Sequence, residues 1–249
     1  MSEAAGVGLL ALGAHPDDVE LTCGGTVRKA VEAGHGAVLC DLTRGESATR
    51  GTPEIRATEA AAAATLLGVR ERLNLGFPDG GVRPTPERVR AVVEVIRRVR
   101  PAVMIAPYWR CMHPDHVGAS QMCQEAFFLA GVGGYDTGQA PWRPRRLLFA
   151  MYRVVFTPSF VVDVSAQWAT ARAAIDCFRS QFHAPGSTEP ATTIAHPRFL
   201  ARIESRRAFY GGLIGVDHGE PFHCVETLEV DDIVTAFPDG RPNVGVGIE

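Results

Sequence analysis

The chain has 249 residues, 46% of them hydrophobic and 8% aromatic, with a formal net charge of −3. That length buries one large core, so a single domain over 1–249 is expected, and the slightly acidic balance offers no broad attraction to nucleic acid or an anionic membrane surface. No apolar run approaches about 18 residues and Met-Ser-Glu-Ala-Ala carries no basic region, which predicts a cytoplasmic protein without a membrane span.

In chain order, Val7 to Gly13 is a short apolar run closed by glycine and predicts a buried strand. It leads directly into Ala14-His15-Pro16-Asp17-Asp18-Val19-Glu20 and on to Gly24-Gly25, after which Thr26 to Ala33 predicts a helix ended by Gly34. Neither a dinucleotide nor a phosphate-loop glycine pattern is present, which disfavours a nucleotide site. Residues 37–42 predict a second strand, with the polar loop Thr43-Arg44-Gly45-Glu46-Ser47 at its end. Thr52 and Pro53 supply an N-cap and a first-turn proline for a helix that stops at Gly68. Arg56 lies in its first turn, where the helix dipole does not favour a cation; a surface role and an anion- or hydroxyl-binding role are both open.

Leu73-Asn74-Leu75 is a short strand candidate, followed by the turn Phe77-Pro78-Asp79-Gly80-Gly81. Thr85-Pro86 starts a helix whose Val89, Val92, Val93, Ile96 and Val99 share one face and read as core. Val103-Met104-Ile105-Ala106 predicts the next strand, with Cys111-Met112-His113-Pro114-Asp115-His116 beyond it. Helices are expected over 117–130, 166–182 and 197–213, and strands over 145–152 and 160–164. Residues 184–195, rich in Pro, Gly, Ser and Thr, predict a mobile loop, and the tail 231–249 a loosely held one. The alternation implies an α/β fold, Rossmann-like, with a mostly parallel sheet and helices on both faces, whose sites lie at the carboxyl ends of strands.

Both His/Asp clusters fall at such ends. Pro-Asp-Asp alone is ordinary turn chemistry; two clusters on two strand ends can meet at one crevice. His15, Asp18 and His116 then form a His₂Asp set that suits a catalytic zinc with an open position, and Fe²⁺ suits it too. Asp17, between two ligands, is placed to take a proton from metal-activated water as it attacks a carbonyl. His113, held as imidazolium by Asp115, fits the acid or oxyanion partner. The six cysteines are scattered without a C-x-x-C pair and read as reduced; Cys111, two residues before His113, is expected to be a neutral neighbour of the metal. The isolated histidines at 35, 183, 196, 218 and 223 are left out of the site.

These paired motifs resemble the LmbE-like, or PIG-L, family of zinc-dependent N-acetylglucosaminyl deacetylases. The likeness is greatest to the bacillithiol biosynthesis deacetylases, which act on N-acetylglucosaminyl malate, and extends through Cys-Asp-Leu-Thr at 40–43, Pro-Ala-Val-x-Ile-Ala-Pro-Tyr at 101–108, Glu125 to Gly131 and Ser180-Gln181-Phe182. It covers residues 7 to about 228. The resemblance implies zinc on His15, Asp18 and His116, with Asp17 as base and His113 backed by Asp115. It also implies contact of Arg56 with sugar hydroxyls, and a homo-oligomer like the hexamers of the nearest relatives.

Two basic groups of those relatives are absent, at Met112 and at Gly80, which weakens malate as the aglycone more than deacetylation itself. Arg44 or Arg110 are candidates to replace them, and a site tyrosine of the relatives aligns with Phe199. The same chemistry on a chitooligosaccharide, a glycosyl antibiotic intermediate, N-acetylglucosaminyl inositol or a thiol S-conjugate is the alternative. A non-catalytic Rossmann-type binding module is the third reading, against which Asp17 and His113 speak.

Overall fold

The computed structural model describes residues 7–183 and 186–236. Seven strands form one sheet: β1 (Leu9–Gly13), β2 (Ala37–Thr43), β3 (Glu71–Phe77), β4 (Val103–Pro107), β5 (Arg146–Ala150), β6 (Phe160–Asp163) and β7 (Gly219–Cys224). Their order is β3-β2-β1-β4-β5-β7-β6. The five from β3 to β5 are parallel, while β7 runs antiparallel to both β5 and β6. The sheet is thus mostly parallel, as expected. Every residue of β1 and β2 is buried, the pattern of strands covered on both faces.

Side chains alternate across β1, so Leu10 and Leu12 enter one core and Leu9 and Ala11 the other. The first core is closed by α3 (Pro86–Val99) and α4 (Pro114–Ala130); the second by α1 (Asp18–Glu32), α2 (Pro53–Leu67), α5 (Trp168–Asp176) and α6 (Phe199–Leu213). Thr52 and Thr85 cap α2 and α3 through side-chain hydrogen bonds, each followed by proline. The valine face of α3 is buried. No helix among the described residues is long and apolar enough to cross a membrane.

Four elements differ from expectation, the simplest being α5, which ends at Asp176 rather than at 182. α1 begins at Asp18 rather than Thr26 and runs through Gly24-Gly25, interrupted by non-helical dihedrals at Cys23. The carboxylate of Glu220 caps the restart, accepting from Gly25 N at 3.0 Å and Thr26 N at 2.7 Å. A Cβ on Gly25 would meet Val164 Cβ at 2.8 Å, so the helix approaches the β6 end only because that residue is glycine. α4 starts at Pro114, three residues early, because His113 serves as its N-cap. β7 has no sequence signature: a buried Glu and a Pro within six residues argue against an internal strand. Of the loop 184–195, residues 184 and 185 lie outside the described part, as do 237–249 of the tail.

Candidate active site

The order of the strands reverses between β1 and β4, which leave the sheet in opposite directions and open a crevice at their carboxyl ends. The loop after β1 delivers His15, Asp17 and Asp18; the loop after β4 delivers Cys111, His113, Asp115 and His116. The tight turn at His15 is held by its own main-chain N–H donating to Asp18 Oδ2 at 2.9 Å.

Asp18 lies between two imidazoles, with Oδ2 at 3.5 Å from His15 Nδ1 and Oδ1 at 3.3 Å from His116 Nε2. The donor atoms of His15, Asp18 and His116 all fall within 4.8 Å of one another, and all three residues are buried. Each imidazole is held from behind. His15 Nε2 faces Asp79 Oδ1 at 3.0 Å and Asp115 Oδ2 at 3.4 Å. His116 Nδ1 meets Cys111 Sγ at 3.1 Å. A carboxylate or thiol on the far nitrogen orients a ligating imidazole. Cys111 is therefore placed on the outer nitrogen of His116 rather than among the converging donors. His15, His113 and Asp115 also converge, but both Asp115 oxygens already accept main-chain N–H groups, from Gly80 at 2.7 Å and Val82 at 3.1 Å. The first set is the better cation site.

The charges respond accordingly. Burial penalises Asp18, yet the adjacent His116 and the hydrogen bonds from both imidazoles hold its carboxyl well below the usual range. Burial pulls His116 down, but Asp18 and Cys111 outweigh it and raise it to about 9. His15 is raised for the same reason, by Asp115, Asp18 and Asp79 against burial. Two imidazoles drawn toward the charged form by surrounding carboxylates mark a cavity whose field favours a cation.

Asp17 is buried and is not a member of either converging set. Its backbone is left-handed, φ 115°, a conformation that Asp and Asn tolerate better than other side chains. Its Oδ2 lies 3.1 Å from Arg56 Nη2, and the same nitrogen donates to Pro16 O. Burial lifts the Asp17 carboxyl to about 7, opposed by Arg56 and reinforced by Asp18; a divalent cation on the neighbouring ligands would draw it down again.

His113 packs edge-on to His15 and stacks on His116, with ring centroids 4.8 and 4.7 Å apart. Its Nδ1 accepts the Asp115 main-chain N–H at 3.2 Å. The arrangement differs from an imidazolium held by the Asp115 carboxylate. The N-cap geometry directs that carboxylate to Gly80, Val82 and His15, and burial with the two neighbouring imidazoles lowers the His113 pKa. A neutral ring with Nδ1 accepting carries its proton on Nε2.

A cleft of about 580 Å³ opens over these groups, lined by His15, Asp17, Asp18, Arg56, His113 and His116. Phe199, first residue of α6, lines it too. Arg44 and Arg110 do not. Arg44 is exposed and borders a separate cavity of about 280 Å³ beside Asp41 and Arg72, at the outer, β3 side of the sheet. Arg110 is exposed and absent from the cleft lining. Besides Arg56, the arginines lining the cleft are Arg50, Arg153, Arg202 and Arg206, none of which the sequence singled out.

Arg50 binds the segment after α5 through Ser180 O at 3.0 Å, Pro190 O at 3.2 Å and Ser187 Oγ at 3.2 Å, which presents Thr192, Thr193 and Ile194 to the cleft. Tyr152 was also unforeseen: its ring lies 4.6 Å from that of His116, and its buried hydroxyl has no hydrogen-bond partner among the described residues. Tyr152 and Arg153 just beyond β5, and Asp79 just beyond β3, carried one available signal, a functional side chain at the carboxyl end of a parallel strand.

Comparison with known proteins places these residues in context. Residues 10–127 match the family described as PIG-L, GlcNAc-PI de-N-acetylase. The chain is 29% identical over 187 residues to the diacetylchitobiose deacetylase of Thermococcus kodakarensis, covering 70% of each. It is 33% identical over 177 residues to a 1D-myo-inositol 2-acetamido-2-deoxy-alpha-D-glucopyranoside deacetylase of Kineococcus radiotolerans. That match covers 54% of this chain and 49% of the relative, so the chain spans about half of that protein's length. The fold superposes on the conserved protein TT1542 from Thermus thermophilus with a TM-score of 0.83 and 38% identity, over 90% of this chain and 98% of that one.

Proposed function

Because the chain belongs to the PIG-L, LmbE-like family of de-N-acetylases, we propose that it is a metal-dependent hydrolase removing the acetyl group from an N-acetylglucosaminide. The observation that carries the reading is the placement of Asp17: a buried carboxylate, outside the ligand set, beside His15, Asp18 and His116 at the floor of the cleft. A binding module needs no such group.

His15, Asp18 and His116 would hold the metal, and their mixed nitrogen and oxygen donors suit Zn²⁺, with Fe²⁺ as the other candidate. Bound there, such a cation polarises the acetamide carbonyl and acidifies water. Asp17, steadied by Arg56, takes the proton from the attacking water and returns one to the departing amine. His113, with Nδ1 engaged by the chain, offers Nε2–H to the oxygen on which negative charge develops. Tyr152 lines the same wall with its hydroxyl buried, and Phe199 has no hydroxyl to offer.

For the aglycone, the resemblance to the bacillithiol biosynthesis enzymes supports malate, with chitobiose and glucosaminyl inositol as the same chemistry on other partners. The test is acetate and primary-amine release from N-acetylglucosaminyl malate, N-acetylglucosaminyl inositol, diacetylchitobiose and free N-acetylglucosamine, with zinc added or chelated. Release that stops with chelator, returns with zinc and is absent in a metal-free His116→Ala variant is expected. A metal-loaded protein that releases nothing from any of the four overturns the reading.

A further inference from the structure

The far wall of the cleft is strongly basic. α6 turns Phe199, Arg202, Ile203 and Arg206 toward it at the three- and four-residue spacing of one helical face. Arg207, the next residue, points away into a buried pair with Glu220 at 3.1 Å. Arg206 reaches back across the cleft: Nη1 donates to Tyr152 O and Nη2 to Leu21 O at 3.3 Å. Arg153, just beyond β5, lines the same cleft.

Among the described residues, no carboxylate lies within ion-pair distance of Arg153, Arg202 or Arg206. The cleft's own acidic groups, Asp17, Asp18 and Asp79, face Arg56, the two imidazoles and His15. Arg153 and Arg202 are exposed, where water screens them, while Arg206 is part-buried. Burial, followed by the neighbouring Arg207, lowers its pKa to about 10. A part-buried guanidinium beside other cations, with main-chain carbonyls as its hydrogen-bond partners, gains when an anion joins it. Its planar donors match a carboxylate or phosphate.

We infer that Arg153, Arg202 and Arg206 form a subsite for an anionic group, carboxylate or phosphate, on the aglycone of the substrate. This rests on the deacetylase reading and deepens it: the sugar lies over Asp17 and the metal ligands, and the aglycone's charge meets α6. The subsite draws its cations from the β5 end and α6.

The test is calorimetric binding to the metal-loaded protein of three glycosides that already lack the acetyl group: glucosaminyl malate, glucosamine 1-phosphate and methyl glucosaminide. The expected result is at least about tenfold tighter binding of an acidic glycoside than of the neutral one, an advantage that shrinks with salt. It should collapse in the surface double variant R153Q/R202Q and in Arg206→Gln. Tighter binding of the malate assigns a carboxylate, tighter binding of the phosphate a phosphate. Equal affinity for all three, no binding of either acidic ligand, or an advantage that survives in both variants overturns the proposal. These ligands need no turnover, so a failure of the deacetylase reading shows separately, in the acetate-release assay.

Discussion

Arg56 Nη2 stands 3.1 Å from Asp17 Oδ2, and both side chains are buried. The pair joins the first turn of α2 to the loop after β1 and gives Arg56 a role besides any contact with sugar hydroxyls. Gly45 makes room for it, since a Cβ there would overlap the guanidinium. Arg56→Gln should therefore lower kcat by about 100-fold with metal content unchanged, and Arg56→Lys should recover little, because one ammonium cannot reproduce the fork between Asp17 and Pro16 O. Steady-state kinetics decide it: a raised KM with kcat intact would assign Arg56 to the sugar instead.

Asp17→Asn is the cleaner probe of the base. Asparagine tolerates the left-handed backbone at this position, whereas alanine adds strain to the loss of the carboxylate. The variant should keep its metal and lose about 10²- to 10⁴-fold in turnover. Activity within about threefold of the parent would remove Asp17 from the chemistry.

Asp79 orients His15 through Nε2 at 3.0 Å while its other oxygen accepts Ser47 N at 2.9 Å. Burial opposes its charge, yet the His15 hydrogen bond keeps its carboxyl at about 2. Asp79→Asn should weaken metal binding by about 10- to 100-fold, read by competition with a chromogenic chelator. An unchanged affinity would mean that the orientation of His15 is held by Asp115 alone.

Glu220 closes the break in α1 and neutralises the buried Arg207. Removing one partner of such a pair leaves an uncompensated interior charge, so Glu220→Ala should cost about 3–5 kcal/mol in urea unfolding. A loss under about 1 kcal/mol would mean that water reaches Arg207.

Much of this protein is written locally. Short apolar runs closed by Gly or Pro mark β1 and β4, the run from Ala37 to Cys40 marks β2, and Thr-Pro pairs mark the starts of α2 and α3. The His/Asp clusters follow strands whose carboxyl ends neighbour each other in any sheet of this order, which is why His15, Asp18 and His116 were legible as a set. Each of these inferences needs only the contacts of a residue with its near neighbours in the chain.

The groups that complete the cleft are decided by tertiary contacts. Arg56 meets Asp17 from 39 positions away, and Arg206 meets the cleft from α6 through the carbonyl of Tyr152, 54 positions distant. Asp115 turns from its neighbour His113 to main-chain donors at Gly80 and Val82. β7 enters the sheet with a buried glutamate because Arg207 and the opened turn of α1 are there to receive it. Local pattern sets which face of an element is apolar. Which charges are desolvated together depends on strand register and helix docking, and in a low-dielectric interior that choice determines both the partner of each arginine and the sign of the cleft it faces.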